Sequence, residues 1–301
     1  MRVFARAGCQ TTAWDRDGAA AERAVRITHD EVDSDLAADV ISAAEAARTK
    51  ANIRTCDTLE AALEGVGFVQ ESGPEDMTIK RAMYAELDAA AAPEVILGSS
   101  TSAMDMTEIA QGLPGASRCI VTHPVNPPHV VPATEVLGGE ATSEEVLTRT
   151  VEFLRSVGQT PVLMNKYVHG FILNRLQAAL MREAIQLVER DVASVDAVDA
   201  AMRDGLGLRW ALLGSFGVNN TNADGGIREY YTRYGPAYKG LMDALDPAIP
   251  VLDEALIDKI AAQTNEMEGD APVGDLCLWR NRLIQKILRI RREDPHPGRP
   301  S

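Results

Sequence analysis

A histidine followed by prolines has the surroundings that best suit proton transfer. His123 lies in the segment Thr122–Pro128, which contains three prolines and follows the apolar run Arg118–Thr122. Prolines prevent a helix and stiffen the loop. We therefore expect His123 to be held at the carboxyl end of a strand, where open α/β sheets bind ligands. An imidazole held in this way suits general acid–base catalysis, and a structural loop histidine is the alternative.

A carboxylate that could orient this histidine lies twelve residues further on. Glu135 has apolar neighbours in the run Ala133–Leu137, so burial is expected, and a lone buried carboxylate is costly. Pairing with an imidazole would remove much of that cost and would orient the ring, as in catalytic triads. The alternative is an edge-strand glutamate that faces water, and spacing alone does not decide between the two.

Small hydroxyl and amide side chains supply candidate ligands for a bound molecule. The loop Gly98–Ser102 follows a predicted strand, and Ser100 and Ser102 could bind a cofactor amide or a substrate oxygen. An ordinary turn with a helix cap is the alternative. Asn174 interrupts the apolar start of a predicted helix, and its amide must find a partner, either a substrate or the backbone.

An aspartate near the amino terminus could select a dinucleotide. Asp15 ends a β-prone run, residues 9–15. In dinucleotide-binding folds an acid at that place accepts hydrogen bonds from the ribose hydroxyls and repels a 2′-phosphate, which favours NAD over NADP. Taken by itself, the residue fits a turn or a helix cap better.

Composition excludes several classes of protein. The 301 residues include 30 Lys and Arg against 44 Asp and Glu, for a net charge of −14. Because this surface repels polyphosphates, we expect no nucleic-acid partner. No stretch reaches the ~20 apolar residues of a bilayer span, and a signal peptide is not recognised, so we expect a cytoplasmic protein with no membrane partner. The His and Cys spacings match no metal motif, and no metal site is predicted.

The elements that must position these residues fall into two halves. Apolar runs at Asn52–Cys56, Val66–Gln70, Val95–Gly98 and Arg118–Thr122 predict strands, with helical stretches between them, one of them Thr58–Glu64 capped by Asp57. This alternation predicts a parallel α/β sheet.

After Thr142 the pattern becomes mostly helical, and Phe171–Arg190 is a clear amphipathic helix. Further helices are predicted at Val195–Asp204, Ile227–Tyr234, Glu254–Met267 and Leu276–Arg291. We place the domain boundary so that residues 1–166 form the α/β domain and residues 167–301 an all-α domain.

Taken together, the motifs resemble the 3-hydroxyacyl-CoA dehydrogenase family. The resemblance rests on His123–Pro128, Gly170–Leu176, the Glu75 to Lys80 loop, Asn222–Ile227 and Tyr234–Pro236, which occur in one order. It is strongest to the lambda-crystallin and L-gulonate 3-dehydrogenase branch, with L-carnitine dehydrogenase nearby. It implies a Rossmann-type, NAD-binding domain followed by a helical domain that binds substrate and forms a homodimer.

The resemblance also implies roles for individual residues. His123 matches the catalytic base and Glu135 the acid that orients it, while Ser102 and Asn174 match the residues that bind substrate. Glu75, Lys80 and Asp15 match the cofactor contacts, and we add Ser100 to them. His123 is then expected to take the proton of a substrate 3-hydroxyl while hydride leaves C3 for the nicotinamide.

One departure concerns the phosphate-binding loop. The family begins with a strand and a G-x-G-x-x-G loop, whose amides bind the pyrophosphate, and this motif does not occur in the 301 residues. The chain opens inside the helix that follows that loop. We expect either a longer natural chain, which we favour because the other site residues are present, or a truncated form that binds NAD poorly.

The substrate is expected to be a free L-3-hydroxy acid. The segment from Asp17 to Lys50 contains four basic and eight acidic residues, which would repel the phosphates of coenzyme A. A 3-hydroxyacyl-CoA thioester and L-carnitine are the alternatives within the class. Outside this class of enzyme, the alternative is a non-enzymatic scaffold protein.

Overall fold

The apolar runs of the first half form short strands in the computed structural model, which describes residues 1–298. The strands are β1 (Thr11–Ala13), β2 (Ile53–Thr55), β3 (Phe68–Glu71), β4 (Ile96–Ser99), β5 (Cys119–Pro124), β6 (Ala133–Gly138) and β7 (Thr160–Leu163). The helices between them are α1 (Arg2–Arg6), α2 (Gly18–Ala37), α3 (Ala43–Ala51), α4 (Leu59–Leu63), α5 (Met77–Ala90), α6 (Met106–Ile109) and α7 (Glu144–Ser156). The alternation confirms the predicted Rossmann-type α/β class.

The strands form two sheets. β1 and β2 make a parallel pair, and the other five strands have the order β3-β4-β5-β6-β7. Neighbours are parallel except β5 and β6, which run antiparallel. The predicted parallel sheet is confirmed at the other pairs of neighbours, and β6, which follows β5 after the short proline-rich loop, departs from it. A parallel connection would need a crossover of a dozen or more residues.

Side chains that alternate along the strands cover both faces of the five-stranded sheet. Leu97, Val121 and Leu137 join one core cluster, which includes Tyr84, while their neighbours Ile96, Ile120 and Val136 join another. Successive residues of a strand point to opposite faces. Both faces are therefore buried, as expected for a sheet with helices on both sides.

Helix starts are fixed by polar caps. Ser143 begins α7 by accepting from the amide of Val146 at 3.2 Å, and Asp76 begins α5 in the same way. The cap of α4 is Thr58, whose hydroxyl accepts from the amide of Ala61 at 3.1 Å. The prediction of Asp57 as this cap was wrong by one residue, because Thr58 itself has the extended backbone of a cap residue and lies three residues before that amide.

Most of the described residues after β7 are helical. They form α8 (Leu173–Glu189), α9 (Val195–Ala200), α10 (Leu208–Asn220), α11 (Gly226–Ala244), α12 (Glu254–Glu268) and α13 (Val273–Glu293), with a π-helical turn at Ala201–Gly207. α11 continues through Pro236, whereas the predicted helix stops at Tyr234. Gly235 has no Cβ to clash with the proline ring, so the usual restriction before proline is relaxed.

Contacts divide the chain into two units. One comprises Met1–Asn174 and Cys277–Arg289, and the other Arg175–Leu276 with the described residues from Ile290 onward. The predicted boundary after residue 166 stays a prediction, and the last part of the predicted second domain, residues 299–301, lies outside the described residues. Among the described helices, none has the length and apolar character needed to cross a membrane.

Candidate active site

The register of β5 and β6 places His123 directly opposite Glu135. His123 Nδ1 lies 2.8 Å from Glu135 Oε2. The Glu135 side chain is fully buried, and the His123 side chain is 12% exposed. The sequence left two alternatives open for Glu135, and the structure has the buried one, in contact with the imidazole.

The second oxygen of Glu135 binds the start of α8. Glu135 Oε1 accepts from the backbone amides of Ile172 at 2.8 Å and Leu173 at 2.9 Å. Amides at a helix start favour a negative charge. An ionised carboxylate only accepts hydrogen bonds, so His123 carries its proton on Nδ1. The Nε2 lone pair is then free to take a proton from a substrate.

Phe171 shapes this helix start. It is fully buried, its ring centroid lies 5.6 Å from that of His123, and its φ is 51°. A bulky residue in the left-handed region is strained and persists only where its surroundings fix it. This conformation follows Gly170, whose φ is 78°, and directs the next two amides toward Glu135.

Ser102 and Asn174 lie together at the surface. The Asn174 side-chain amide donates to the Ser102 carbonyl at 3.3 Å, and the Tyr167 hydroxyl donates to the neighbouring Ala103 carbonyl at 2.8 Å. Both predicted substrate ligands are exposed. Asn174 has thus found a backbone partner, which was one of its two expected outcomes.

Ser100 belongs to a network of hydroxyl and amide groups. Gln70 Nε2 donates to Ser100 Oγ at 2.7 Å, and Ser72 Oγ lies 3.0 Å from the same atom. Gln70 Oε1 accepts from Thr122, the residue before His123, at 2.9 Å. The network lies at the carboxyl ends of β3, β4 and β5. Its mixed donors and acceptors fit the amide of a nicotinamide, which would be held there by Ser100 and Ser72.

The side chains of Glu75 and Lys80 both bind other groups of the chain. Glu75 Oε1 accepts from Thr101 Oγ1 at 2.6 Å, from the Ser102 amide at 2.8 Å and from the Ala103 amide at 3.2 Å. Lys80 is 1% exposed, and its ammonium contacts Glu71 at 3.0 Å. Direct cofactor contact by these two residues stays a prediction, while the structure gives both a role in holding the loop that carries Ser102.

Asp15 lies just beyond the end of β1 and is exposed. One of its carboxylate oxygens accepts from the Asp17 amide at 2.8 Å, the turn contact that the sequence allowed as an alternative. Among residues 1–298, no hydrogen bond or ion pair joins it to the other predicted site residues. Its second oxygen is available to a ribose hydroxyl, and that role stays a prediction.

Sequence reasoning missed Glu71, Gln70 and Phe171. Glu71 and Gln70 end β3, so their signal was a polar pair at the end of an apolar run, just before Ser72 and Gly73. Phe171 looked like an ordinary apolar position of the amphipathic helix, and its positive φ had no signal beyond the preceding Gly170.

Two family models match the chain. The model described as the 3-hydroxyacyl-CoA dehydrogenase NAD binding domain matches residues 1–167, and that described as the 3-hydroxyacyl-CoA dehydrogenase C-terminal domain matches residues 170–247. An L-carnitine dehydrogenase of Streptomyces coelicolor is 36% identical over 289 residues, covering 95% of this chain and 88% of that relative. Lambda-crystallin of Oryctolagus cuniculus is 34% identical over 243 residues, covering 80% of this chain and 76% of that protein.

A solved structure covers nearly the whole chain. It is 5-formyl-3-hydroxy-2-methylpyridine 4-carboxylic acid 5-dehydrogenase, described as an NAD+-dependent dismutase. The TM-score is 0.77 at 28% identity, with 96% of this chain and 93% of that chain covered. The 3-hydroxybutyryl-CoA dehydrogenase of Escherichia coli is 30% identical, with a TM-score of 0.63 over 68% of this chain and 43% of that one.

Proposed function

The chain belongs to the 3-hydroxyacyl-CoA dehydrogenase family and is an NAD-dependent dehydrogenase that acts on a CH–OH group, and on that premise we propose its substrate class. We propose that it oxidises the 3-hydroxyl of a free L-3-hydroxy acid to the 3-keto product, as an L-gulonate 3-dehydrogenase does. The observation that carries the chemistry is the contact of 2.8 Å between His123 and Glu135.

The residues divide the work of the reaction. His123 Nε2 takes the proton of the substrate hydroxyl as C3 becomes a carbonyl carbon. The imidazolium that forms is stabilised by Glu135, whose carboxylate is held by the amides of Ile172 and Leu173. Ser102 and Asn174 hold oxygens of the substrate. When bound, NAD+ supplies the acceptor for the hydride of C3.

The acidic segment after β1 supports a free acid over a coenzyme A thioester. Three of its four basic side chains already pair with carboxylates: Arg23 with Asp17, Arg26 with Glu22, and Lys50 with Asp33. Few cations are therefore left in this segment for the phosphates of coenzyme A, while the remaining carboxylates repel them.

L-Carnitine is the second candidate. It is itself a free 3-hydroxy acid, and relatives named L-carnitine dehydrogenase share 34–37% of their residues with this chain. The same His123–Glu135 pair would serve the oxidation of its hydroxyl, so the proposed chemistry is unchanged and only the groups around C3 differ.

Initial rates of NADH formation test these alternatives. L-Gulonate, L-carnitine and L-3-hydroxybutyryl-CoA are compared at equal concentrations, with NAD+ binding measured by calorimetry. We expect one free acid to exceed the thioester in kcat/KM by about tenfold or more, the size of one lost or gained ionic contact. A thioester preference would overturn the free-acid proposal. No oxidation together with no NAD+ binding would favour a scaffold protein.

We also propose a homodimer formed through the helical unit. Leu208, Leu212 and Phe216 of α10 are 63%, 59% and 75% exposed, and large apolar side chains exposed in one short segment are typical of an interaction surface. Light scattering after gel filtration should give twice the chain mass, and Phe216→Glu should shift it toward one chain mass. A monomeric wild type at micromolar concentration would contradict this proposal.

We propose that the protein works in the cytoplasm. Cys9, Cys56, Cys119 and Cys277 are all free thiols, which suits a reducing compartment. Cell fractionation with detection of the protein tests this, and recovery in a secreted fraction would contradict it.

A further inference from the structure

Glu71 is a buried carboxylate that accepts four hydrogen bonds, and nothing in the proposed reaction uses it. It is 3% exposed. Its Oε1 accepts from Lys80 Nζ at 3.0 Å and from the Gly73 amide at 2.5 Å. Its Oε2 accepts from Ser99 Oγ at 2.6 Å and from Lys80 Nζ at 3.1 Å. One carboxylate therefore joins the turn after β3, the helix α5 and the end of β4.

Lys80 depends on this carboxylate. Its ammonium is buried, and its other contacts are the Gly73 carbonyl at 3.2 Å and Glu75 Oε2 at 3.7 Å. A buried charge that loses its partner is strongly destabilising. Without the charge of Glu71, the ammonium would have only Glu75 as an anionic partner and would draw it away from its present contacts.

Those contacts hold the loop that carries Ser100 and Ser102, residues 98–102, which we call the hydroxyl loop. Glu75 Oε1 binds Thr101 Oγ1 and the Ser102 amide. On the other side, Ser99 Oγ donates to Glu71 and accepts from the Thr101 amide at 3.2 Å. Glu71 thus reaches the hydroxyl loop by two routes, directly through Ser99 and indirectly through Lys80 and Glu75.

We propose that Glu71 is a positioning residue of the dehydrogenase, whose carboxylate sets the position of the hydroxyl loop and so of Ser100 and Ser102. The effect on catalysis rests on the proposed function, because it requires these two serines to contact cofactor and substrate. Glu71 itself is buried and touches neither. Groups that orient the residues in direct contact with a ligand commonly change activity by 10–100-fold when they are lost.

A second buried ion pair provides a matched control. Asp88 Oδ1 lies 2.9 Å from Arg118 Nη2, with side chains 6% and 8% exposed, and Asp88 also accepts from the Gly115 amide at 3.0 Å. Arg118 precedes β5, whereas His123 lies near its other end. Asp88→Asn therefore removes a similar buried charge far along the sheet from the hydroxyl loop.

The experiment compares Glu71→Gln, Ser99→Ala and Asp88→Asn in the full chain. Hydrogen exchange of amides 99–104 is measured without ligands, and kcat and KM are measured for NAD+ and for the oxidised hydroxy acid. We expect Glu71→Gln to speed exchange in the loop at least about tenfold more than Asp88→Asn does and to lower kcat/KM about 10–100-fold. Asp88→Asn should lower stability but leave kcat/KM within about threefold.

Ser99→Ala keeps the proposal testable if Glu71→Gln does not fold. It removes only the direct route, so the ion pair stays intact, and we expect a smaller rise in loop exchange and a loss of about 3–10-fold in kcat/KM. The proposal would be overturned if Glu71→Gln had the same loop exchange and the same kinetic constants as Asp88→Asn. It would also be overturned if Ser99→Ala changed neither the loop exchange nor kcat/KM. If the wild type oxidises no hydroxy acid, the proposed function fails, while the exchange comparison still decides whether Glu71 orders the loop.

Discussion

Replacing Glu135 with glutamine should reverse the tautomer of His123. The native carboxylate accepts three hydrogen bonds, one from His123 Nδ1 and two from the amides of Ile172 and Leu173. A glutamine can accept only through its oxygen. If that oxygen keeps the two backbone amides, its NH2 group faces Nδ1 and requires a lone pair there, so the proton moves to Nε2 and the base is lost.

The structure gives the size of this effect. The opposite amide orientation would point NH2 at the two backbone N–H groups and leave both without the acceptor that the buried Glu135 side chain supplies, at about 1–3 kcal/mol each. The catalytically wrong orientation is therefore favoured by about 2–6 kcal/mol. At 1.36 kcal/mol per tenfold, this lowers the fraction of usable base by about 30-fold to 10⁴-fold. The same change in another His–carboxylate pair lowers kcat about 10⁴-fold.

The assay is steady-state NADH formation by Glu135→Gln and by the wild type with the hydroxy acid that the substrate comparison identifies. NAD+ binding by calorimetry and the melting temperature serve as controls for folding, since the variant should still bind cofactor within about threefold. A variant that keeps kcat within about threefold of the wild type would refute the tautomer argument, because the wrong orientation should dominate.

Three further changes have defined outcomes. His123→Ala should lower turnover at least about 10²-fold while NAD+ binding stays near that of the wild type, and an unchanged rate would exclude His123 as the base. Burial, with a smaller effect of Arg2, lowers the pKa of His129 to about 4 from its ordinary 6.5. Because the unfolded chain then binds a proton that the folded chain does not, the free energy of unfolding should fall as the pH drops from about 6.5 to 4. In His129→Gln the free energy of unfolding should fall less over this pH range. Urea unfolding at several pH values measures it, and an equal fall in the wild type and the variant would contradict this. Phe171→Ala should destabilise by about 3–5 kcal/mol, as expected for a fully buried phenylalanine, and should lower kcat as well, since the amides that hold Glu135 follow it. A loss of stability with no change in kcat would separate the packing role from the positioning role.

Local sequence patterns predicted most of the fold because their physical signals are short-range. The alternation of apolar strand runs with helical stretches indicated the α/β half, and the helical periodicity after Gly170 indicated α8. The antiparallel β6 was not predicted, because strand direction depends on how a connecting loop closes rather than on the residues of the strand. The predicted helix Ile227–Tyr234 is shorter than α11, which continues through Pro236, because a proline inside a helix ordinarily ends or kinks it.

The candidate site was predictable in its residue types and unpredictable in its contacts. A histidine followed by a proline-rich loop indicated acid–base chemistry, and a glutamate in an apolar run indicated a buried partner. His123 and Glu135 are twelve residues apart in sequence, and their pairing depends on the register of the antiparallel strands β5 and β6. The cofactor contact of Lys80 stays a prediction, and its burial against Glu71 had no sequence signal, because it depends on helix α5 turning that side chain inward toward the end of β3.

The amino-acid sequence was enough to identify the family and the α/β and helical halves. It also supplied the set of polar residues from which a site could be built. These follow from composition, from periodicity and from motifs that occur in one order. Only the tertiary structure decided which carboxylate holds which cation and which amides complete the shell of Glu135. Hydrogen bonds act over about 3 Å, whereas the groups that make them in the candidate site are separated by up to 72 residues of chain, so folding alone brings them within reach.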